Sequence, residues 1–501
     1  MTKDELPSSL DALEPRLVWE FFSRMAAVPR PSKKEQQIRV AMRAMAEEHG
    51  LTVREDAVGN LLIEAPASKG CESAPVTVLQ GHVDMVCVQN PDSNIDFETE
   101  GITPVIDRDA KSGEPIVRAK GTTLGADNGI GVALALAAAV SPDVTRGPLE
   151  ILLTTDEETG MTGAGALTPK SFRGRRLLNL DSEEDDILYI GCAGGRDITL
   201  TFDSETRKPA GEATCCRVSV TGLRGGHSGG DIHENRGNAI KILARTLLGT
   251  DSKMQLVSID GGELRNVIPS DASAVVSGSP QVLDALRAAA EAVTRAGRAE
   301  FAEPDLTITV ALAPDSDGSP ALSAEATTRL LTAITALPHG VMGVDRAIKG
   351  LVETSNNIAT IKSSQENGKG LRVVIGALAR SSSEVCKHTA VAQIESVGRL
   401  AGANVESGND YPGWQPNPDS PTLAVCKRVY KERFGEDAEV TAIHAGLECG
   451  IIGDNVGDVD MISFGPRIEG AHTPDERVYI ASVQKSWKFL TAVLAELAHT
   501  T

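Results

Sequence analysis

Three short apolar runs in the first two hundred residues each end in imidazole or carboxylate, and nothing else in the chain constrains its fold as tightly. Residues 76–79 deliver Gln80-Gly81-His82-Val83-Asp84, residues 149–153 empty into Thr154-Thr155-Asp156-Glu157-Glu158, and residues 177–180 lead to Asp181-Ser182-Glu183-Glu184. Brief apolar runs bounded by turn residues read as strands buried on both faces, which belong to a helix-covered sheet. Ligands of open α/β sheets gather beyond the carboxyl ends of the strands. One shared site at that edge is therefore expected.

The side chains at these ends are of one chemical kind. His82 and Asp84 lie two residues apart on an extended segment and share a face, so Asp84 is placed to hydrogen-bond one imidazole nitrogen and fix the ring. Asp127 sits in Gly125-Ala126-Asp127-Asn128-Gly129 at the start of a helical stretch; taken alone it reads as a plain N-cap, and the flanking glycines favour a bridging role once the other ligands are accepted. Glu157 and Glu158 are adjacent carboxylates at a strand end, where they repel each other unless a cation is near. Glu158 is assigned to metal and Glu157 to the general base that later acts as acid; the bland alternative is a solvated acidic turn. His472, in Gly470-Ala471-His472-Thr473-Pro474, would pass for a surface histidine by itself. Together His82, Asp127, Glu158, Asp181 and His472 offer two imidazoles, three carboxylates and no thiolate, a set suited to a pair of divalent cations sharing one carboxylate.

A rival chemistry is present. Gly226-His227-Ser228-Gly229-Gly230 satisfies the Gly-x-Ser-x-Gly pattern of a serine-hydrolase elbow, but the preceding strand ends near Val220 and the next helix starts near Asn235, so the required sharp strand-turn-helix is poorly matched. The imidazole of His227 on this loop is instead a candidate to meet a developing oxyanion. His49, His233, His339, His388, His444 and His499 read as structural.

Residues 17–27 form an apolar helical stretch closed by Pro29 and Pro31, and Ser32 with Glu35 predicts a capping box opening a second helix. From residue 188 to 412 alternating strands such as 216–220 and 371–377 mix with helices such as 281–294 and 326–337, and none of the five proposed ligands occurs there. This stretch reads as an inserted α+β domain between two parts of a catalytic domain, 1–187 and 413–501. The net charge of −20 repels phosphate backbones and acidic lipid, which argues against nucleic-acid and membrane partners. Eight cysteines without a Cys-x-x-Cys pair point to reduced thiols. The acidic start Met1-Thr2-Lys3-Asp4-Glu5 has no apolar leader core and no apolar run is long enough to span a bilayer. A cytoplasmic location is expected.

These segments resemble the dinuclear zinc peptidase and aminoacylase family. The matching pieces are Gly81-His82-Val83-Asp84-Met85-Val86, Gly125-Ala126-Asp127-Asn128-Gly129, Asp156-Glu157-Glu158-Thr159-Gly160, Asn179-Leu180-Asp181, Gly225-Gly226-His227-Ser228-Gly229 and His472-Thr473-Pro474. Glu353-Thr354-Ser355-Asn356-Asn357, Tyr411-Pro412-Gly413-Trp414 and His444-Ala445-Gly446-Leu447-Glu448 resemble the aminoacyl-histidine dipeptidase branch of that family. The resemblance implies an α/β mixed-sheet catalytic domain with an inserted lid through which two copies form a homodimer. It implies two divalent ions, zinc first, with cobalt or manganese as alternatives. One ion takes His82 and Asp181, the other Glu158 and His472, and Asp127 bridges them; Asp84 orients His82 and Glu157 is the base. His227, Asn266 and Gly446 are placed at the substrate, and Arg380 is the candidate for a dipeptide's free carboxylate. The implied reaction is hydrolysis of Xaa-His and other dipeptides, with a related aminoacylase or tripeptidase activity as the near alternative and a serine hydrolase using Ser228 as the distant one.

Overall fold

The computed structural model describes residues 6–7, 9–208, 213–250, 254–366 and 370–499. Residues 1–5, which carry the reading of no leader, lie outside that set. The described residues group into two compact units.

The first unit comprises the described residues of Met1–Gly191, Pro416–Ala442 and Leu447–Thr501. Its centre is an eight-stranded sheet in the order Thr52–Glu55, Leu61–Ala65, Leu149–Thr154, Thr77–His82, Arg176–Asn179, Asp460–Ser463, Ile187–Cys192, Glu439–Ile443. Thr77–His82 runs parallel to both of its neighbours, and Asp460–Ser463 runs parallel to Arg176–Asn179. Thr52–Glu55 with Leu61–Ala65, Leu61–Ala65 with Leu149–Thr154, and Asp460–Ser463 with Ile187–Cys192 pair antiparallel, so the sheet is mixed. Every residue of Thr77–His82 and of Leu149–Thr154 is buried, as strands covered on both faces require. The helix Ala126–Val140 is buried almost all round, and its Ala- and Gly-rich surface explains how it lies so close to its neighbours. A β-carbon on Gly131 would stand 2.1 Å from the Leu180 carbonyl oxygen. Only glycine permits that approach, and Asn128 Nδ2 donates to the same carbonyl at 2.7 Å.

The helix after Pro31 spans Gln36–Glu48, but the expected capping box does not form. The Ser32 hydroxyl donates to Asp84 Oδ2 at 2.8 Å, and Glu35 Oε1 accepts from the amides of Lys33 and Asp156 at 2.7 and 3.1 Å. Tertiary partners claim both side chains, because a buried carboxylate needs donors more than an exposed helix end does.

The second unit comprises the described residues of Cys192–Gln415 together with Ile443–Gly446. A ten-stranded antiparallel sheet runs from Thr307–Leu312 through Thr214–Thr221, Ala272–Gly278, Gln255–Gly261, Val352–Glu366, Gly370–Ser381 and Gly194–Arg207 to Ala321–Leu322, with Gly340–Val344 paired to Val352–Glu366. Asn404–Tyr411 pairs with Gly194–Arg207 as a further strand. Helices Ala239–Leu248, Pro280–Glu300, Ala324–Ala336 and Glu384–Leu400 contribute Ile242, Leu243, Leu286, Leu331, Ile334 and Ile394 to one aliphatic core with the sheet. Among the described residues no helix is long and apolar enough to cross a membrane.

Candidate metal centre

The ends of three neighbouring strands bring His82, Glu157, Glu158 and Asp181 to one edge of the first sheet. His82 closes its strand, Glu157 opens a one-turn helix after Leu149–Thr154, and Asp181 follows Arg176–Asn179. Asp127 enters from the Gly125 loop and His472 from a carboxyl-terminal loop, where its φ is 63°. His82 Nε2 lies 3.0 Å from Asp127 Oδ1 and 3.3 Å from Asp181 Oδ1. His472 Nε2 lies 3.2 Å from Asp127 Oδ2 and 3.0 Å from Glu158 Oε2. Asp127 thus faces both imidazoles through its two oxygens. Asp127 is itself non-helical (φ −79°, ψ 113°), at a kink before the regular helix, and its carboxylate oxygens meet His82 and His472 and, among the described residues, cap no helix amide.

Electrostatics mark the cluster as built for positive charge. Hydrogen bonds to Asp127 and Glu158 push His472 up to about 11. Burial disfavours the charged form of His82, yet the Asp181 charge and the hydrogen bonds to Asp127, Asp181 and Asp84 raise it well above the ordinary imidazole value. Burial opposes ionisation of Asp127 too, but its bonds to His472 and His82 hold it well below the usual carboxylate range. The carboxylates around the two imidazoles favour positive charge there, and a bound cation would take the place of any ring proton. Glu158 Oε1 is buried without a hydrogen-bond partner, which is costly unless something positive meets it. Donor atoms of His82, Asp127 and Glu158 all lie within 4.8 Å of one another. The residues fit a divalent metal site.

Beside the donors stands Glu157. Burial lifts its carboxyl well above the usual range, with His82 opposing and Asp181, Glu448 and Glu158 adding to the rise. Among the described residues its carboxylate has no hydrogen-bond or ion-pair partner, which leaves it free to accept a proton. Asp84 is fully buried and does more than the sequence implied. Its Oδ1 lies 3.4 Å from His82 Nδ1, and its two oxygens accept the amides of Glu157 and Glu158 at 3.1 and 3.3 Å. Burial works against its ionisation, but His82, Ser32 and the Glu157 amide lower it to about 2.

Several supporting residues escaped the sequence reading. Glu476 is buried and its carboxylate accepts the amides of Leu124, Gly125 and Ala126 at 2.7, 3.0 and 2.7 Å, with Asp127 at 3.4 Å. It pins the loop that carries Asp127. Arg30, also buried, donates to the carbonyls of Val83 and Asp84 at 3.1 and 3.0 Å and to that of Gly125. Glu448 accepts from Gln80 Nε2 and Thr154 Oγ1, both at 2.6 Å, joining the strands that bear His82 and Glu158. Glu476 lies four residues beyond His472, but nothing local distinguishes it from a surface acid.

The second unit gathers its own polar group. His227 Nδ1 accepts the amides of Gly229 and Gly230 at 3.3 and 3.0 Å, so the neutral ring carries its proton on Nε2. Burial, then the Arg380 charge, lowers its pKa. Arg380 is 5% exposed and donates to Tyr411 Oη at 2.8 Å and to Ser228 Oγ at 3.4 Å. Among the described residues no carboxylate pairs with it. Asn266 is exposed in the turn before Val267–Ile268, and Gly446 follows the His444 bend. The Ser228 hydroxyl has no imidazole partner among the described residues, and only the two-residue strand Gly226–His227 precedes it, so the nucleophile-elbow geometry is absent.

Comparison with known proteins agrees with this picture. The chain is 39% identical over 494 residues to the cytosol non-specific dipeptidase of Escherichia coli (strain K12), covering 98% of this chain and 99% of that protein. The crystal structure of aminoacylhistidine dipeptidase from Vibrio alginolyticus superposes with a TM-score of 0.86 at 38% identity, over 98% of each chain. A tripeptidase structure from Staphylococcus aureus shares the fold at a TM-score of 0.61 and 15% identity, over 97% of this chain and 100% of that one. The resemblance drawn from the sequence motifs is borne out. A sequence model described as peptidase family M20/M25/M40 matches residues 78–496, and the chain belongs to that family.

Proposed function

We propose that the protein is a metal-dependent dipeptidase that hydrolyses Xaa-His and other dipeptides, using two divalent ions, zinc first, in the cytoplasm. The observation that carries this reading is the meeting of His82, Asp127, Glu158, Asp181 and His472 with an unpartnered Glu157 alongside. His82 and Asp181 would hold one ion, Glu158 and His472 the other, with Asp127 between them. When bound, such a pair polarises a carbonyl and makes water nucleophilic near neutral pH. Glu157 takes the proton of the attacking water and returns it to the departing amine, as its raised affinity for protons suits. Asp84 keeps the His82 ring oriented and fixes the backbone under Glu157.

The second unit acts as the lid and as the surface joining two copies. His227 donates Nε2–H to the carbonyl oxygen as charge develops there, Asn266 and Gly446 contact substrate, and Arg380 binds its free carboxylate. An unpaired buried guanidinium is uncommon because its desolvation must be met by an anion. The relatives named for dipeptide hydrolysis at 38–39% identity favour a dipeptide over an N-acyl amino acid or a tripeptide.

The test is turnover of Ala-His, a tripeptide and an N-acetyl amino acid by purified protein, before and after chelation with metal add-back. Ala-His cleavage that chelation abolishes and metal restores is expected. Preference for either other substrate would transfer the assignment to that activity, and full activity after verified metal removal would overturn it.

A further inference from the structure

Strand register places four residues in one row across the second sheet. Tyr411 pairs with Gly195, Gly195 with Arg380, and Arg380 with Ser355. Directly opposed residues of antiparallel strands point to the same face, so Tyr411, Arg380 and Ser355 emerge together. Gly195 supplies no side chain between them. A β-carbon there would stand 2.4 Å from Tyr411 Oη and 2.5 Å from Cζ, so the Tyr411 ring lies across this glycine, and its hydroxyl reaches Arg380 Nη1 at 2.8 Å. At the far end Ser355 Oγ lies 2.7 Å from His444 Nε2. The backbone of Tyr411 is fixed in turn by Lys387, which is 1% exposed and donates to its carbonyl at 2.6 Å.

The hydrogen-bond inventory of the row is incomplete in one direction. Arg380 spends Nε on Ser228 and one Nη1 proton on Tyr411, and Nη2 has no acceptor among the described residues. Tyr411 Oη accepts from Arg380, and its own proton has no acceptor among the described residues. A phenol oriented by accepting a bond from a guanidinium has only its O–H to offer outward. Both outward groups are donors, and the neighbouring imidazoles of His227 and His444 are held neutral by burial and by the Arg380 charge. Two outward donors beside a guanidinium suit an anionic acceptor with two oxygens.

We infer that Tyr411 is a specificity-determining residue that donates its phenolic proton to the same substrate carboxylate that Arg380 holds, with Gly195 present to let the ring reach it. This rests on the reading of Arg380 as the carboxylate site. The two donors act as one fork: Arg380 sets the phenol's direction, and the phenol distinguishes a carboxylate from an amide, which has one oxygen in place of two.

The measured quantity is the ratio of kcat/KM for Ala-Ala to that for its C-terminal amide. Tyr411→Phe is expected to lower the ratio about tenfold, the worth of one hydrogen bond to a charged group, through KM for Ala-Ala with turnover of the amide retained. Gly195→Ala keeps the hydroxyl but displaces the ring, and is expected to lower the ratio in the same way. Retained turnover of the amide reports that each variant is folded. In an Arg380→Met background, Tyr411→Phe is expected to have little further effect. A Tyr411→Phe enzyme with the wild-type ratio, or one losing equally on both substrates, overturns the inference, as do fully multiplicative losses in the double variant. An Arg380→Met enzyme with an unchanged ratio instead sinks the carboxylate reading beneath it.

Discussion

Glu476→Gln isolates the device that holds Asp127 in place. The substitution preserves volume but turns one carboxylate oxygen into an NH2 group. Oε2 serves Leu124 and Gly125, and Oε1 serves Ala126 and Asp127; whichever oxygen is replaced, two buried amides lose their acceptor and face a donor. Leaving a buried amide unpaired costs about 1–3 kcal/mol. The charge near buried Arg30, which Glu476 helps to compensate, is lost as well. The expected destabilisation is about 3–5 kcal/mol, which for a unit of this size lowers Tm by roughly 5–9 °C. Calorimetry on the metal-loaded protein measures the shift, and metal content after dialysis reads the loop directly, because a displaced Asp127 loosens its hold on cations. A variant melting within about 2 °C of wild type with its metal retained would refute the claim that these amides depend on Glu476.

Three further outcomes are expected. Glu157→Gln loses roughly 10²–10⁴-fold in kcat while binding its metal as before, measured by steady-state kinetics with elemental analysis; wild-type turnover would remove Glu157 from proton transfer. Ser228→Ala falls less than about tenfold in kcat and a serine-directed phosphonate leaves the enzyme active, whereas loss of a nucleophile costs on the order of 10³-fold or more. Burial, with the Arg380 charge adding, lowers His444 to about 3. Its folded pKa is therefore below the unfolded value, so the unfolded state binds the extra proton and stability falls as pH drops from about 6.5 toward 3. Between pH 7.5 and 5 the wild type is expected to lose about 2 kcal/mol relative to His444→Gln, read as a difference between their denaturation midpoints; parallel pH profiles would contradict it.

The strand ends were legible in the sequence because the signal is local. An apolar run such as 76–79 or 149–153 declares a buried strand, and the residue that follows it stands at the sheet's edge whatever else the chain does. The helix Pro421–Phe434 obeys the same local logic, with Pro421 at its first position and Ser420 accepting the Leu423 amide as its cap. The same reasoning failed at Ser32 and Glu35, where a well-formed capping signal lost to Asp84 and Asp156. Helix caps on a surface are worth about 1 kcal/mol, less than satisfying a buried carboxylate or amide.

What the sequence by itself determined was the inventory: which side chains follow buried strands, that they are oxygen and imidazole donors, and that a second body of alternating strands interrupts the first. Tertiary structure alone decided which residues serve the donors. Glu476 meets Leu124 from 352 positions away, and Glu448 meets Gln80 from 368. Tyr411 meets Arg380 only because two strand registers align both with a glycine. Such pairings follow from closure of long loops and from register, which no run of neighbouring residues encodes, whereas the strands themselves follow from the short-range alternation of apolar and polar groups.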